Sequence, residues 1–201
     1  MKTRMRGEER HAAIVRSAIH LFAEKGFRGT TTRELASALG VTEPVLYQHF
    51  RTKSELYSAI IEAKTGQSAA RIQNLARYAK AGDDQAFFLR LAGLILERYE
   101  TDPETSRLLL FSSLEGHELA GLFFDRVFSD LYKLVADYIR GRIRAGVFRK
   151  VDPDLAARGV IGMVSYQGLV DLLFPGRSPK RSRQRLAREM TALFLDGARA
   201  D

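Results

Sequence analysis

The stretch from Thr30 to Tyr57, TTTRELASALGVTEPVLYQHFRTKSELY, constrains this chain more than any other. Thr31 has the hydroxyl of an N-cap, and Glu34 three residues on completes the pattern of a capping box. Leu35, Ala36 and Leu39 follow at helical spacing, so one face of the helix is apolar. Gly40 can take the positive φ that ends such a helix, and Val41 has the character of a buried plug. Thr42 caps a second helix, with Glu43 and Pro44 in its first turn. There a missing N–H costs nothing and an acidic group suits the helix dipole. The second helix is expected over about 43–50, with Val45, Leu46 and Phe50 facing inward. Thr42, Glu43, Tyr47, Gln48 and His49 stay on or near the outside. A helix, a short glycine-bearing turn and a second helix match the layout of a DNA-binding helix-turn-helix.

With the preceding helix, this stretch resembles the N-terminal domain of the TetR family of bacterial transcriptional repressors. The resemblance rests on Ala18, Phe22, Gly26, Thr31, Thr32, Leu35, Ala36, Leu39, Gly40 and Val41, then on the more specific run LYQHFRTKSELY from Leu46 to Tyr57. It implies an all-α fold of about nine helices. A three-helix DNA-binding domain would cover residues 1–55, and a helical effector-binding and dimerisation domain residues 56–201. It further implies backbone-phosphate contacts from Tyr47, His49 and Lys53, and phosphate or base-edge roles for Thr30, Thr32 and Arg33. The residues themselves suggest how bases are read. Gln48 can pair with adenine through its amide, Thr42 or Val45 can pack on a thymine methyl, and Glu43 can accept from a cytosine amine or serve only as a cap. Pro44 is an apolar group fixed at the end that points into the groove.

Composition agrees with a polyanionic partner. The 201 residues carry a net charge of +8, and 45% are hydrophobic, enough for a substantial core. Cysteine is absent, which excludes disulfides, thiolate catalysis and cysteine metal sites. The basic start MKTRMRGEER has no apolar stretch of a secretion signal, and no run approaches the roughly 20 apolar residues of a membrane span. A cytoplasmic protein is expected. Met1 to Arg10 could form an arm reaching into the minor groove.

Along the chain, the first helix is expected over about 9–25, with Ile14, Ala18, Leu21 and Phe22 buried and Gly26 as its stop. A long helix opens at Thr52 or Lys53 and runs to about 81. Its middle, Glu62 to Ala76, is polar and alanine-rich, which suits a lever between two units with the domain boundary inside the helix. Further helices are expected over about 83–101, from Pro103 to before Gly116, over 118–145, 155–174 and 181–198.

The family uses its central helices as an effector pocket. Phe88, Phe111, Leu114, Phe123, Phe124, Phe128 and Tyr166 are the expected lining, fitting a lipophilic or aromatic small molecule, with Arg107, Glu115, His117 or Arg126 as a polar contact. The last two helices are the expected homodimer interface. Gly159 and Gly162 permit close approach, and Met163, Leu186, Met190, Leu193 and Phe194 supply an apolar seam.

No enzyme, cofactor or metal is expected. His117-Glu118-Leu119-Ala120-Gly121 begins like a zinc-protease HExxH, but Gly121 stands where the second histidine is needed, and no GxxxxGK[ST], GxGxxG or GxSxG occurs. The competing class is a basic helical interaction protein. Its densest positive run, Gly176 to Arg188, would meet an anionic membrane or a protein partner. Preference for one palindromic sequence separates a repressor from that alternative, because both bind in a salt-sensitive way.

Overall fold

A computed structural model describes residues 7–116, 120–121, 124–179 and 181–199, with the side chains of 8–10, 65–69, 126 and 127 outside the description. The described regular structure is helical, apart from one isolated bridge between Phe148 and Arg199. In order, the α-helices are α1 (Gly7–Gly29), α2 (Thr32–Ala38), α3 (Glu43–His49), α4 (Lys53–Ala81), α5 (Asp84–Thr101), α6 (Pro103–Leu114), α7 (Ser129–Arg144), α8 (Pro153–Leu173) and α9 (Arg183–Ala198). No described helix is long and apolar enough to cross a membrane.

The chain forms two compact units. One comprises Met1–Gln67 with Glu104–Phe124, the other Ser68–Pro103 with Asp125–Asp201. A boundary at 55/56 does not coincide with that division, which falls inside α4. The reason is the apolar first half of α4: Leu56, Tyr57, Ile60 and Ile61 are buried in the first unit. The Tyr57 ring meets Phe22 and Phe27 edge-on at 5.0 and 5.3 Å between centroids, and its hydroxyl donates to the Leu108 carbonyl on α6. Burial pushes the Tyr57 phenol up to about 12. α6 therefore belongs with the helices of the first unit.

α1 departs from a plain helix at Gly26, where φ is 74°, and resumes for one more turn to Gly29. A side chain at Gly26 would collide with the carboxylate of Glu115. That carboxylate accepts from the backbone N–H groups of Phe27 and Arg28 at 3.0 and 3.2 Å. Glycine is thus required there for both conformation and space.

The second unit is built on aromatic and aliphatic packing among α5, α7, α8 and α9. Phe88 is fully buried, with ring contacts to Phe87, Tyr138, Phe148 and Phe194. Asp84, at the start of α5, accepts from the Tyr138 hydroxyl at 2.7 Å and pairs with Arg142 at 2.7 Å, so α5 and α7 are also tied at their ends. Burial and the Asp84 carboxylate push the Tyr138 phenol well above its ordinary value. Asp83 caps α5 and Asp152 caps α8 through their carboxylates.

The stretch before α7 differs from the single α-helix expected over 118–145: Phe124–Phe128 is a π-helical turn. Phe124 is exposed while Phe128, one turn on, is half-buried.

Candidate nucleic-acid interface and effector cavity

α2 begins as the sequence dictates. Thr31 sits in the extended region, its hydroxyl accepts from the Glu34 N–H, and the Glu34 carboxylate accepts from the Thr31 N–H at 2.9 Å. Lys25 on α1 donates to the same carboxylate at 2.7 Å. That ammonium, followed by the Thr31 bonds, holds Glu34 down at about 2. The helix closes with Gly40 at φ 64°. The Gly40 N–H bonds to the Ser37 carbonyl and the Val41 N–H to the Ala36 carbonyl, which is a Schellman ending.

The turn delivers α3 with Leu46 and Phe50 buried and Val45 half-buried. Thr42, Pro44, Tyr47 and Gln48 are exposed, Tyr47 at 45%. The Thr42 hydroxyl makes no cap hydrogen bond and is open to an outside partner. His49 is half-buried. Arg33, on the adjoining helix, has a side chain 90% exposed, with only a 3.7 Å approach of its Nε to Glu43.

Three residues expected at the DNA are occupied within the protein. Thr30 is fully buried, and its hydroxyl donates to the Gly26 carbonyl at 2.8 Å, so its side chain is engaged inside the protein. The Thr32 hydroxyl donates to Glu43 at 2.8 Å, and Glu43 thereby ties α2 to α3. Lys53 is half-buried: its Nζ donates to the Phe27 and Thr30 carbonyls at 2.6 and 2.8 Å and lies 4.1 Å from the Phe27 ring centre. Burial pushes its ammonium below the ordinary lysine value. These carbonyls end the α1 region, so Lys53 ties the start of α4 to the entry of α2. Arg51, which the sequence reading passed over, is exposed just beyond α3. Its signal was a cation placed directly after the second helix. Any arm from Met1 to Arg6 lies outside the described residues.

Comparison with known proteins agrees with this geometry. Residues 14–60 match the N-terminal domain of the bacterial regulatory proteins of the tetR family. Residues 94–197 match the C-terminal domain of AefR-like transcriptional repressors. The chain belongs to the tetR family. Both matching models describe bacterial transcriptional regulators. The HTH-type transcriptional regulator YerO of Bacillus subtilis is 27% identical over 156 residues, spanning 76% of this chain and 54% of YerO. The class A tetracycline repressor of Escherichia coli is 40% identical over 76 residues, 38% of this chain and 33% of the repressor. The chain thus aligns with about half or less of these relatives. A crystal structure of AibR with isovaleryl coenzyme A and operator DNA shares the fold, with a TM-score of 0.71, 19% identity, and coverage of 92% of this chain and 97% of that one.

In this tetR-family member the expected pocket residues that are described divide between the two units. Phe88 is locked in the aromatic core. Phe111 is half-buried beside Gly26 in the first unit, and Leu114 there is 84% exposed. Tyr166 is 68% exposed on α8. Phe123 and His117 lie outside the described residues, as does the Arg126 side chain. The HExxH-like segment is also largely undescribed. Phe128, of the expected residues that are described, lines a cavity of about 60 Å³ in the second unit. Its walls come from α4, α5, α7 and α8, including Leu91, Ile95, Leu131 and Ile161, with Arg71 and Arg98 as the cations. The sequence reading missed both arginines, because only the fold brings them to one space.

The expected dimer residues divide. Leu186 is buried, and Met190 and Phe194 pack against the core of their own chain. Met163 is half-buried. Gly159 and Gly162 are exposed, and a side chain at either would meet nothing within 4 Å. The glycine that does permit close approach inside the unit is Gly168, where a Cβ would lie 2.6 Å from Tyr99 Cγ. Leu193, 68% exposed, stands outward on α9. A groove of about 370 Å³ separates it from Leu155 and Gly159 on α8.

Proposed function

We propose that this regulator binds a palindromic operator as a homodimer, represses transcription, and is released by a small-molecule effector held in the second unit. The observation that carries the reading is α3 itself. Its inward side is fixed by Leu46, while Thr42, Pro44, Tyr47 and Gln48 form an exposed outer face, polar and aromatic apart from Pro44, and the Thr42 hydroxyl makes no cap bond. On such a helix Gln48 reads a base edge, Thr42 meets a base edge or phosphate at the N-terminal end, and Tyr47, Arg33 and Arg51 meet phosphates.

Two modules are needed, because one short helix reaches few bases. The second copy fits the outer face of α8 and α9, where Leu155, Gly159, Gly162 and Tyr166 recur at helical spacing and Leu193 joins them. In this reading Tyr166 serves the dimer. α4 carries the message: Leu56 and Tyr57 sit in the DNA-binding core, and Arg71 further along the same helix lines the cavity. A ligand that favours one of two arrangements of α4 shifts the population between binding and release.

Selection of bound duplexes from random DNA tests the reading. The expected product is a palindrome. Gln48→Ala changes the preferred base at one position of each half-site, whereas Tyr47→Ala weakens all sequences alike. Sedimentation of the protein at micromolar concentration is expected to show a dimer, and Leu193→Glu a monomer with weakened operator binding. An unselective DNA preference, or a wild-type monomer, defeats it.

A further inference from the structure

The effector cavity has a charge asymmetry that a purely lipophilic ligand does not explain. Its apolar wall is contributed by side chains such as Leu91, Leu94, Ile95 and Ile161. Its charged groups are two arginines, Arg71 from α4 and Arg98 from α5, and no aspartate or glutamate lines it. Both arginines are half-buried. Among the described residues neither has a carboxylate within salt-bridge distance. The Arg98 guanidinium instead lies against rings, 5.1 Å from the centre of Tyr99 and 5.5 Å from that of Phe128. Ser165 adds a hydroxyl at the same cavity.

Partly desolvated guanidiniums without an acidic partner are costly, and a bound anion removes that cost. A guanidinium offers a planar fork of donors that matches a carboxylate, and the match is stronger where water is thin. Ring contacts can hold Arg98 in place without consuming its charge.

We propose that the ligand of this cavity is an apolar carboxylate, with its hydrocarbon part among the aliphatic side chains and its acid group on Arg71 and Arg98. The inference rests on the effector reading above and specifies the class of molecule that fills that site. The free space, about 60 Å³, is less than half of the roughly 150 Å³ that accommodates benzene. A longer ligand therefore displaces a wall. Phe128 is the ring placed to move: it is half-buried and ends the π-helical turn Phe124–Phe128, a wound-in extra residue of the kind common at functional sites. The hydrocarbon part is accordingly slender, a chain before a fused ring system.

The test uses the whole chain and calorimetric titration with straight-chain carboxylates from butanoate to decanoate, their primary alcohols and their alkylammonium counterparts. The best carboxylate is expected to bind at least tenfold more tightly than its alcohol, and the ammonium not at all. The double variant R71Q/R98Q brings the carboxylate to the level of the alcohol. R98K, which keeps the charge and loses the fork, gives an intermediate loss and serves if the double variant melts early. Equal binding of acid and alcohol, a carboxylate advantage that survives R71Q/R98Q, or no binding by any carboxylate overturns the inference. Operator gel shifts in the same solutions separate it from the effector reading. A carboxylate held by the two arginines that leaves operator affinity unchanged defeats the effector reading alone. An alcohol that binds as well as the acid and releases the operator defeats the carboxylate inference alone.

Discussion

The helix pair α2–α3 and the helix pair α8–α9 bury comparable kinds of residue and do so by different means. In α2–α3 each joint is a polar bond over short sequence distance: Thr31 with Glu34, Thr32 with Glu43, and the Gly40 ending. Its outward side chains are mostly polar or aromatic with a hydroxyl, with Pro44 and Ala38 as small apolar exceptions. In α8–α9 the joints are apolar contacts to distant parts of the chain, and the outward side chains include Leu155, Tyr166 and Leu193. The difference teaches which surface meets which partner. A face whose polar groups are spent inside except for a chosen few suits the donor and acceptor pattern of a groove. A face that leaves large apolar groups in water suits a second protein surface.

The comparison breaks most sharply at Phe88. Sequence reasoning grouped it with Leu114 as pocket lining, whereas Phe88 is fully buried among four aromatic rings and Leu114 is almost fully exposed. Phe88→Ala is expected to cost about 3–5 kcal/mol in denaturant unfolding, through lost transfer energy and an unfilled cavity. Leu114→Ala is expected to stay within about 0.5 kcal/mol. Similar losses for the two would mean that the aromatic cluster does not hold the second unit together.

A smaller effect distinguishes two cations of the first unit. Lys53 spends its donors on the Phe27 and Thr30 carbonyls, while Arg33 extends into solvent. Lys53→Gln is expected to cost about 1–2 kcal/mol, since a shorter neutral amide satisfies those carbonyls poorly and the site is only half-buried. Arg33→Gln leaves stability unchanged and lowers the slope of log affinity against log salt by about one, as the loss of a phosphate contact does. If Lys53→Gln reduced the salt slope by the same amount without loss of stability, Lys53 would be a phosphate ligand after all.

What was legible in the sequence follows the same division. The caps, the glycine ending and the buried Leu46 of the helix-turn-helix were readable because each is a local rule satisfied within a few residues. The internal bonds of Thr30 and Lys53 were not readable, because their partners are backbone carbonyls in the α1–α2 region, and carbonyls carry no residue signature. In the second unit, Phe88, Phe124 and Tyr166 looked alike as aromatic residues. Only tertiary packing makes the first core and the other two exposed, and the π-helical turn at Phe124–Phe128 has no local code in its letters. Arg71 and Arg98 are far apart in sequence, and each alone reads as an ordinary helix-surface charge.

The smallest effect probes the polar joint itself. Glu34 takes hydrogen bonds from Lys25 and Thr31, and its carboxyl is held at about 2, below the ordinary carboxylate value. A depressed folded-state value means the charged form is favoured by folding. The contribution is therefore complete above the unfolded value near 4.5 and is lost as pH falls from there toward 2. Because many carboxylates titrate in that range, the informative quantity is a difference. At pH 7 Glu34→Gln should melt below the wild type, since the amide keeps the shape but loses the charged bond to Lys25. Between pH 4.5 and 2 that gap in Tm should narrow toward zero as the wild-type carboxylate protonates. The helix signal lost on melting includes α2, so circular dichroism follows it. A gap that stays constant across the acid range would show that Glu34 supports the cap through shape alone, and the contrast between polar joints and apolar joints would then rest on Thr31, Thr32 and Lys53.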